Sequence, residues 1–209
     1  MIEVKGISKK LDGQKVLDGV SISCTKGSIN GIIGRNGSGK SILLKCICGF
    51  FKQDEGEIFI CGKKNTEFIQ EEHKLGATIE TPSFLENYSG LKNLMLLYSV
   101  LNKPDKEHLK MILKDVGLDP HLKKPVKKYS MGMKQRLSIA QAIMENQKVL
   151  LLDEPMNNLD VEGVDRIRKL LLKLRGEGKT ILMTTHNEDD IARLCDSVYE
   201  MWEGQLKRR

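Results

Sequence analysis

The sequence predicts an α/β protein with a mostly parallel core sheet, an N-terminal antiparallel β subdomain and an inserted helical subdomain at about residues 82–145, all within one domain of 209 residues. Three observations predict it. Short apolar runs at Ser28–Ile33, Lys148–Asp153 and Thr180–Thr184 alternate with segments whose apolar residues recur at helical spacing. That alternation is the pattern of a parallel sheet covered by helices on both faces. The first 24 residues instead hold two β-rich runs around the turn-prone DGQK, which reads as an antiparallel hairpin. Between about 82 and 145 the strand-like runs give way to helical periodicity.

Taken in order, IEVKGIS and VLDGVSIS form the hairpin, SINGII is the first core strand, and Ser41–Cys48 (SILLKCIC) is a helix. Glu57–Cys61 (EIFIC) is a short strand ended by Gly62 and two lysines. A polar stretch follows at Asn65–Lys74, then the short apolar GATIE at Gly76–Glu80, then the loop-like TPSFLENYSG from Thr81. From Leu91 the chain turns helical, with Leu94, Leu97, Tyr98 and Leu101 on one face. Leu109, Ile112, Leu113 and Val116 define a second helix that stops at Gly117. A third, about Met131 to Glu145, starts after Ser130 and turns Leu137, Ala140 and Ile143 inward. KVLLLD is a fully apolar strand; Val161–Arg175 is a helix with Val164, Ile167, Leu170, Leu171 and Leu174 on one face. TILMT is a strand, Asn187–Leu194 a helix, and Ser197–Trp202 with Gly204–Leu206 make two closing strands. In such a sheet, ligands gather at the carboxyl ends of the strands.

At 40% hydrophobic residues the chain can bury one substantial core. No apolar run approaches the roughly 18 residues that span a bilayer, and MIEVKGISKK lacks the apolar core of a signal peptide. A cytoplasmic location is therefore expected. Net charge is +6, with basic residues gathered at Lys123, Lys124, Lys127 and Lys128 and at Lys207, Arg208 and Arg209. These clusters could meet anionic lipid or nucleic acid, but they have no interleaved aromatics and read better as a solvated loop and tail. The five cysteines form no C-x-x-C pair, so reduced, buried thiols are expected and a metal site built on them is not.

Gly34–Ser41, GRNGSGKS, matches G-x-x-x-x-G-K-[ST] between an apolar strand and a helix start. In this pattern the backbone N–H groups of Gly34, Arg35, Asn36, Gly37, Ser38 and Gly39 turn inward on a triphosphate, and Lys40 reaches its β and γ oxygens. The Ser41 hydroxyl is left for Mg²⁺, and the helix opening through Ser41 and Ile42 favours an anion at its N-terminus. The fold class is thereby a P-loop NTPase, with ATP as the expected nucleotide. Asp153 and Glu154 end the strand of LLLDEP at the same sheet edge. Asp153 is placed to hold Mg²⁺ through its water shell. Glu154 is then free to act as general base on the attacking water, a role worth about 10²- to 10⁴-fold. His186, after TILMTT, emerges at that edge and can donate to the γ-phosphate. The catalytic candidates are Glu154, His186 and Lys40.

Tyr129–Arg136 reads YSMGMKQR and opens a helix ahead of LLLDEP. With it, the order GRNGSGKS, YSMGMKQR, LLLDEP, NNLD and TTH resembles the ATP-binding cassette ATPases over nearly the whole chain. The resemblance implies that Ser130, Met131, Gly132 and Met133 form a signature that binds the γ-phosphate of ATP held by a second subunit. A helix N-terminus bearing a hydroxyl suits that task. It further implies that Asp160 of NNLD belongs to a D-loop coupling two sites, and that two cassettes, identical or not, sandwich two ATPs head to tail. The partner it implies is a membrane permease on a separate chain, with this subunit peripheral on the cytoplasmic face.

Three positions depart from the family pattern. Glu80 stands where Gln is usual, putting a carboxylate that can only accept beside the expected Mg²⁺ site. In this the chain resembles the short cassettes of lantibiotic- or bacteriocin-immunity and bacitracin-resistance exporters. Leu11 stands where the family stacks an aromatic on adenine, so base packing by Leu11 and Val16 would be aliphatic. Met131 replaces the commoner Gly. The reading is thus an ATPase subunit exporting a peptide antibiotic, bacteriocin or drug. Two other classes stand beside it. One is a soluble cassette ATPase acting on nucleic acid or the ribosome, favoured by the pI of 9.0. A second cassette or long coiled coil would be usual there and neither is present, so no nucleic-acid partner is expected. The other is a module that binds ATP without turnover, prompted by Leu11 and Glu80.

Overall fold

The computed structural model of the chain describes residues 1–72, 75–80 and 83–209. The end of the polar stretch at His73 and Lys74, and the start of the loop-like stretch at Thr81 with the opening of the helical subdomain at Pro82, lie outside the described residues. In chain order the strands are β1 (Ile2–Leu11), β2 (Gln14–Cys24), β3 (Ile29–Ile33), β4 (Glu55–Ile60), β5 (Lys63–Lys64), β6 (Leu75–Thr78), β7 (Val149–Leu152), β8 (Thr180–Thr185), β9 (Ser197–Trp202) and β10 (Gln205–Arg208). The helices are α1 (Lys40–Ile47), α2 (Asn65–Glu72), α3 (Gly90–Leu101), α4 (Lys106–Asp115), α5 (Met131–Ile143), α6 (Val161–Gly176) and α7 (Glu188–Leu194).

The hairpin β1–β2 turns at Asp12 and Gly13, whose φ values of 48° and 81° are those of a tight turn matched to strand twist. With β4 and β5 it forms an antiparallel sheet in the order β2-β1-β4-β5. The core sheet runs β10-β9-β3-β8-β7-β6, parallel except for β10 against β9. Every residue of β3, β7 and β8 is buried, as continuous apolar strands covered on both faces require. Alternate residues serve opposite faces. Leu150 and Leu152 join the core beneath α5 and α6, while Val149 and Leu151 join the one shared by α1 and the antiparallel sheet.

The structure completes two of these expectations and corrects a third. The polar stretch from Asn65 is helical: α2 packs Phe68, 1% exposed, into the core, and Asn65 donates to the carbonyls of Cys46 and Ile47 at 3.0 and 3.3 Å. One anchoring aromatic and one carbonyl-binding amide hold it, and neither leaves a periodic signal. On α3 the shared face is buried only in part. Leu94 is buried and Tyr98 half-buried, but Leu97 and Leu101 are 43% and 55% exposed. The inward position is taken instead by Asn93, which ties down the loop before α3 through the amide and carbonyl of Leu85 at 2.8 and 3.2 Å. The thiols are also not uniformly buried: Cys24, Cys46 and Cys48 are, Cys195 is half-buried and Cys61 is exposed.

Candidate active site

The loop between β3 and α1 is shaped by what presses on it. Gly39 has φ 111°, and a Cβ there would stand 2.8 Å from the Val16 carbonyl; one on Gly34 would stand 2.4 Å from that of Met201. The turn between β9 and β10 braces the loop from the other side, with the Gly204 N–H donating to Ser38 O at 3.0 Å. No side chain caps α1, so its first N–H groups stay open to an anion. Lys40 is 6% exposed, and its Nζ donates to the Gly34 and Arg35 carbonyls at 2.6 and 3.1 Å, 3.9 Å from Glu154 Oε1. Ser38 Oγ is buried without a partner.

The neighbouring strands supply the acids. Ser41 Oγ donates to Asp153 Oδ2 at 2.7 Å, and Thr184 Oγ1, from β8, donates to Asp153 Oδ1 at 2.5 Å. The same Thr184 oxygen accepts the Glu154 N–H at 2.9 Å, holding Glu154 at a left-handed φ of 48°. Glu154 Oε2 lies 2.9 Å from His186 Nδ1, while its Oε1 is buried with no hydrogen-bond partner. Lys40, Ser41, Asp153, Glu154 and His186 are therefore brought together as the motifs predict. Val16, Asn36, Gly37, Gly39 and Ile42 complete the lining of a cleft of about 280 Å³ over Lys40, Ser41 and the acids. Leu11 ends β1 opposite Gln14, half-buried, and is not among the residues lining that cleft. A larger cleft of about 510 Å³ lies between α4 and α6, lined by Lys114, Asp115, Glu162 and Arg166. It contains none of these groups, and chemistry rather than size identifies the site.

Glu80, at φ 59°, borders a second cleft of about 370 Å³ with Ser41, Asp153, Met131 and Asn158. Its carboxylate is ion-paired with Lys45 of α1, whose ammonium also lies 5.2 Å from the Phe51 ring. Ser130 caps α5 by accepting the Met133 N–H at 3.2 Å and remains exposed. Gly132 is fixed by crowding: a Cβ there would meet the Asn158 carbonyl at 2.6 Å. Asp160 caps α6 through Gly163 N–H at 3.0 Å and takes Arg136 Nη2 at 2.6 Å. Sequence reasoning missed Thr184, Lys45, Arg136 and Gln135, which donates to the Glu154 and Pro155 carbonyls at 3.2 and 3.3 Å. Thr184 alone carried a signal, as the hydroxyl two residues before His186 on a strand beside Asp153.

The residue set fits hard-cation and triphosphate chemistry. Ser41 and Asp153 are adjacent oxygen donors, and the orphaned Ser38 Oγ and Glu154 Oε1 are buried groups with hydrogen-bonding capacity in hand. Among the described residues no cluster of three or more His, Cys, Asp or Glu suited to an all-protein metal cage is present. No helix among them is long and apolar enough to cross a membrane.

A sequence profile described as ABC transporter matches residues 17–157. An uncharacterized ABC transporter ATP-binding protein of Bacillus subtilis (strain 168), YybJ, is 39% identical over 207 residues, covering 99% of this chain and 95% of that protein. The bacitracin transport ATP-binding protein BcrA of Enterococcus faecalis is 36% identical over 208 residues, covering 99% of this chain and 68% of that protein. Among solved structures, the dimeric bacterial ABC transporter cassette MJ0796 is similar with a TM-score of 0.90 at 25% identity, covering 100% of this chain and 97% of that one.

Proposed function

From the premise that the chain belongs to the ABC transporter family as one of its ATP-binding subunits, we propose that Lys40, Ser41, Asp153, Glu154 and His186 form one half of a site that hydrolyses ATP between two cassettes. Ser130–Met133 of a second cassette close it, and Asp160 lies at the junction. One observation carries the reading. Glu154 has one oxygen held by His186 and the other buried, free of any hydrogen bond and 3.9 Å from the Lys40 ammonium, so it is fixed in place with a lone pair left to accept a proton.

The chain's own groups then divide the work. Open N–H groups of the loop and Lys40 hold the phosphates, the ammonium exchanging loop carbonyls for phosphate oxygens. Glu154 Oε1 takes the proton of the attacking water. With Glu154 ionised, His186 donates through Nδ1, and in its protonated form it also offers Nε2–H to the γ-phosphate. Ser41 and Asp153 would hold Mg²⁺, which would supply positive charge against the charge that develops on the phosphates. Glu80 would join that set only by giving up Lys45. Val16 packs beside the base; Leu11 would do so only where the nucleotide extends past the cleft.

The segment 82–145 acts as the helical subdomain that meets the permease. What supports this is the apolar surface there: Leu85, Leu97, Val100 and Leu101 are exposed, Val100 by 74%. The permease is a separate chain, this subunit sits on the cytoplasmic face, and the cargo is bacitracin or a similar peptide antibiotic, by likeness to the bacitracin transport protein. The decisive experiment is phosphate release from Glu154→Gln. A loss of about 10²- to 10⁴-fold is expected, with an ATP-bound dimer visible by light scattering; a wild-type rate would remove Glu154 as the base.

A further inference from the structure

His186 follows β8 in the short link to α7, and its side chain is 62% exposed, so packing does not hold it in place. What fixes its backbone is a buried ion pair on the far side of that link. Asp190, in the first turn of α7, is 1% exposed. Its Oδ1 accepts from Nε and Nη2 of Arg168 at 2.8 and 2.6 Å, and Nη2 also reaches Asp189 Oδ2 at 2.8 Å. Its Oδ2 accepts from Thr185 Oγ1 at 3.5 Å, and that hydroxyl oxygen in turn accepts the Asn187 N–H at 3.0 Å. The residues on either side of His186 are thus both tied to Asp190, and Asp190 to Arg168.

Arg168 lies on α6, about 12 Å along the helix from Asp160 at 1.5 Å per residue. Asp160 caps that helix and binds Arg136 of α5, the helix that Ser130 opens. One helix therefore connects the middle of α5, the NNLD segment and the backbone that presents His186 to Glu154. We infer that Arg168 is a positioning residue for hydrolysis: it sets His186 against Glu154 and links that contact to the NNLD segment. This deepens the proposed function and rests on His186 serving Glu154 there. A misplacement of about 1 Å at a reacting group costs up to about 100-fold in rate, so the backbone of His186 has to be held by something stiffer than its exposed ring.

Removing Arg168 alone would strand a buried carboxylate, whereas replacing both partners by apolar residues of similar size leaves such sites folded. The test is accordingly the double variant Arg168→Met with Asp190→Leu, in the intact chain, with Asp189 still paired to Arg193 at 2.8 Å. Expected is a fall in kcat of about tenfold with KM for ATP within about twofold, at an unchanged unfolding temperature. Adding His186→Ala should then lower kcat by much less than it does in the wild type, because the ring is already displaced. Arg168→Lys, which keeps the charge but not the forked contact, is the second variant and should show the same split at smaller amplitude. Wild-type kcat in both, or a His186→Ala loss that adds in full, overturns the inference. If His186→Ala itself keeps wild-type kcat, the reading of His186 fails instead, and the two failures are told apart.

Discussion

Lys40 and Ser41 at the start of α1 meet Asp153 and Glu154 at the end of β7, Ser41 by a hydrogen bond to Asp153 and Lys40 at 3.9 Å from Glu154, whereas at the start of α5 Ser130 and Met131 are exposed, with Gly132 crowded by the Asn158 carbonyl and Met133 half-buried against the core. The contrast has a physical origin. The first group is set by parallel strands whose register is fixed by burial on both faces, so Asp153, Thr184 and Ser41 meet without choice. The second group is set by a helix cap, which orients one hydroxyl but encloses nothing. The proposed pairing of cassettes would have each chain supply one enclosed group and one open one, and the similar cassette MJ0796 is itself dimeric.

Three changes would break or sharpen that contrast. The largest effect is expected at Gly132→Val, where the new Cβ meets the Asn158 carbonyl. Steady-state phosphate release should fall by about 100-fold, as for a misplaced reacting group, while a fluorescent ATP analogue still binds the monomer; lost binding would mean that the two halves are not separable. A middle-sized effect is expected from Val100→Asp with Leu101→Asp on the exposed face of α3. ATPase activity of the isolated subunit should stay within about twofold, since neither residue touches the nucleotide cleft, while co-sedimentation with permease-containing membranes should be lost. Unchanged sedimentation would place the permease elsewhere. The smallest effect concerns the thiols behind the loop. Burial pushes the thiols of Cys46 in α1 and Cys48 at its C-terminal end up to about 11 and about 12, so little thiolate exists at neutral pH. N-ethylmaleimide at pH 7 should label the exposed Cys61 first and spare that pair, with no change in ATP affinity; rapid labelling of Cys46 would show that the phosphate half opens readily.

How much of this was legible differs residue by residue. β3, β7 and β8 were readable because full burial forces continuous apolar runs, and Glu154 and His186 because they follow such runs directly. α2 was not, since one buried Phe68 makes no period. The shared face of α3 was legible but its burial was not. Helical spacing shows which residues share a face, but not whether anything covers it, and Leu97 and Leu101 share Leu94's face without its burial. The pairs Lys45–Glu80 and Arg168–Asp190 join distant segments through polar side chains, and nothing local announces them.

By itself, then, the sequence determined the elements and the chemistry carried by backbone and adjacent residues: a glycine loop that turns N–H groups inward, two carboxylates at a strand end, a hydroxyl before a helix. Local sterics and burial decide these, and both are written in consecutive residues. Only the tertiary structure decided that Asp153 has both oxygens hydrogen-bonded, that Glu154 has one oxygen without a hydrogen bond, and that Arg168 and Thr185 meet at Asp190. Those depend on side chains meeting across the fold, where a few tenths of an ångström separate a hydrogen bond from an orphaned charge.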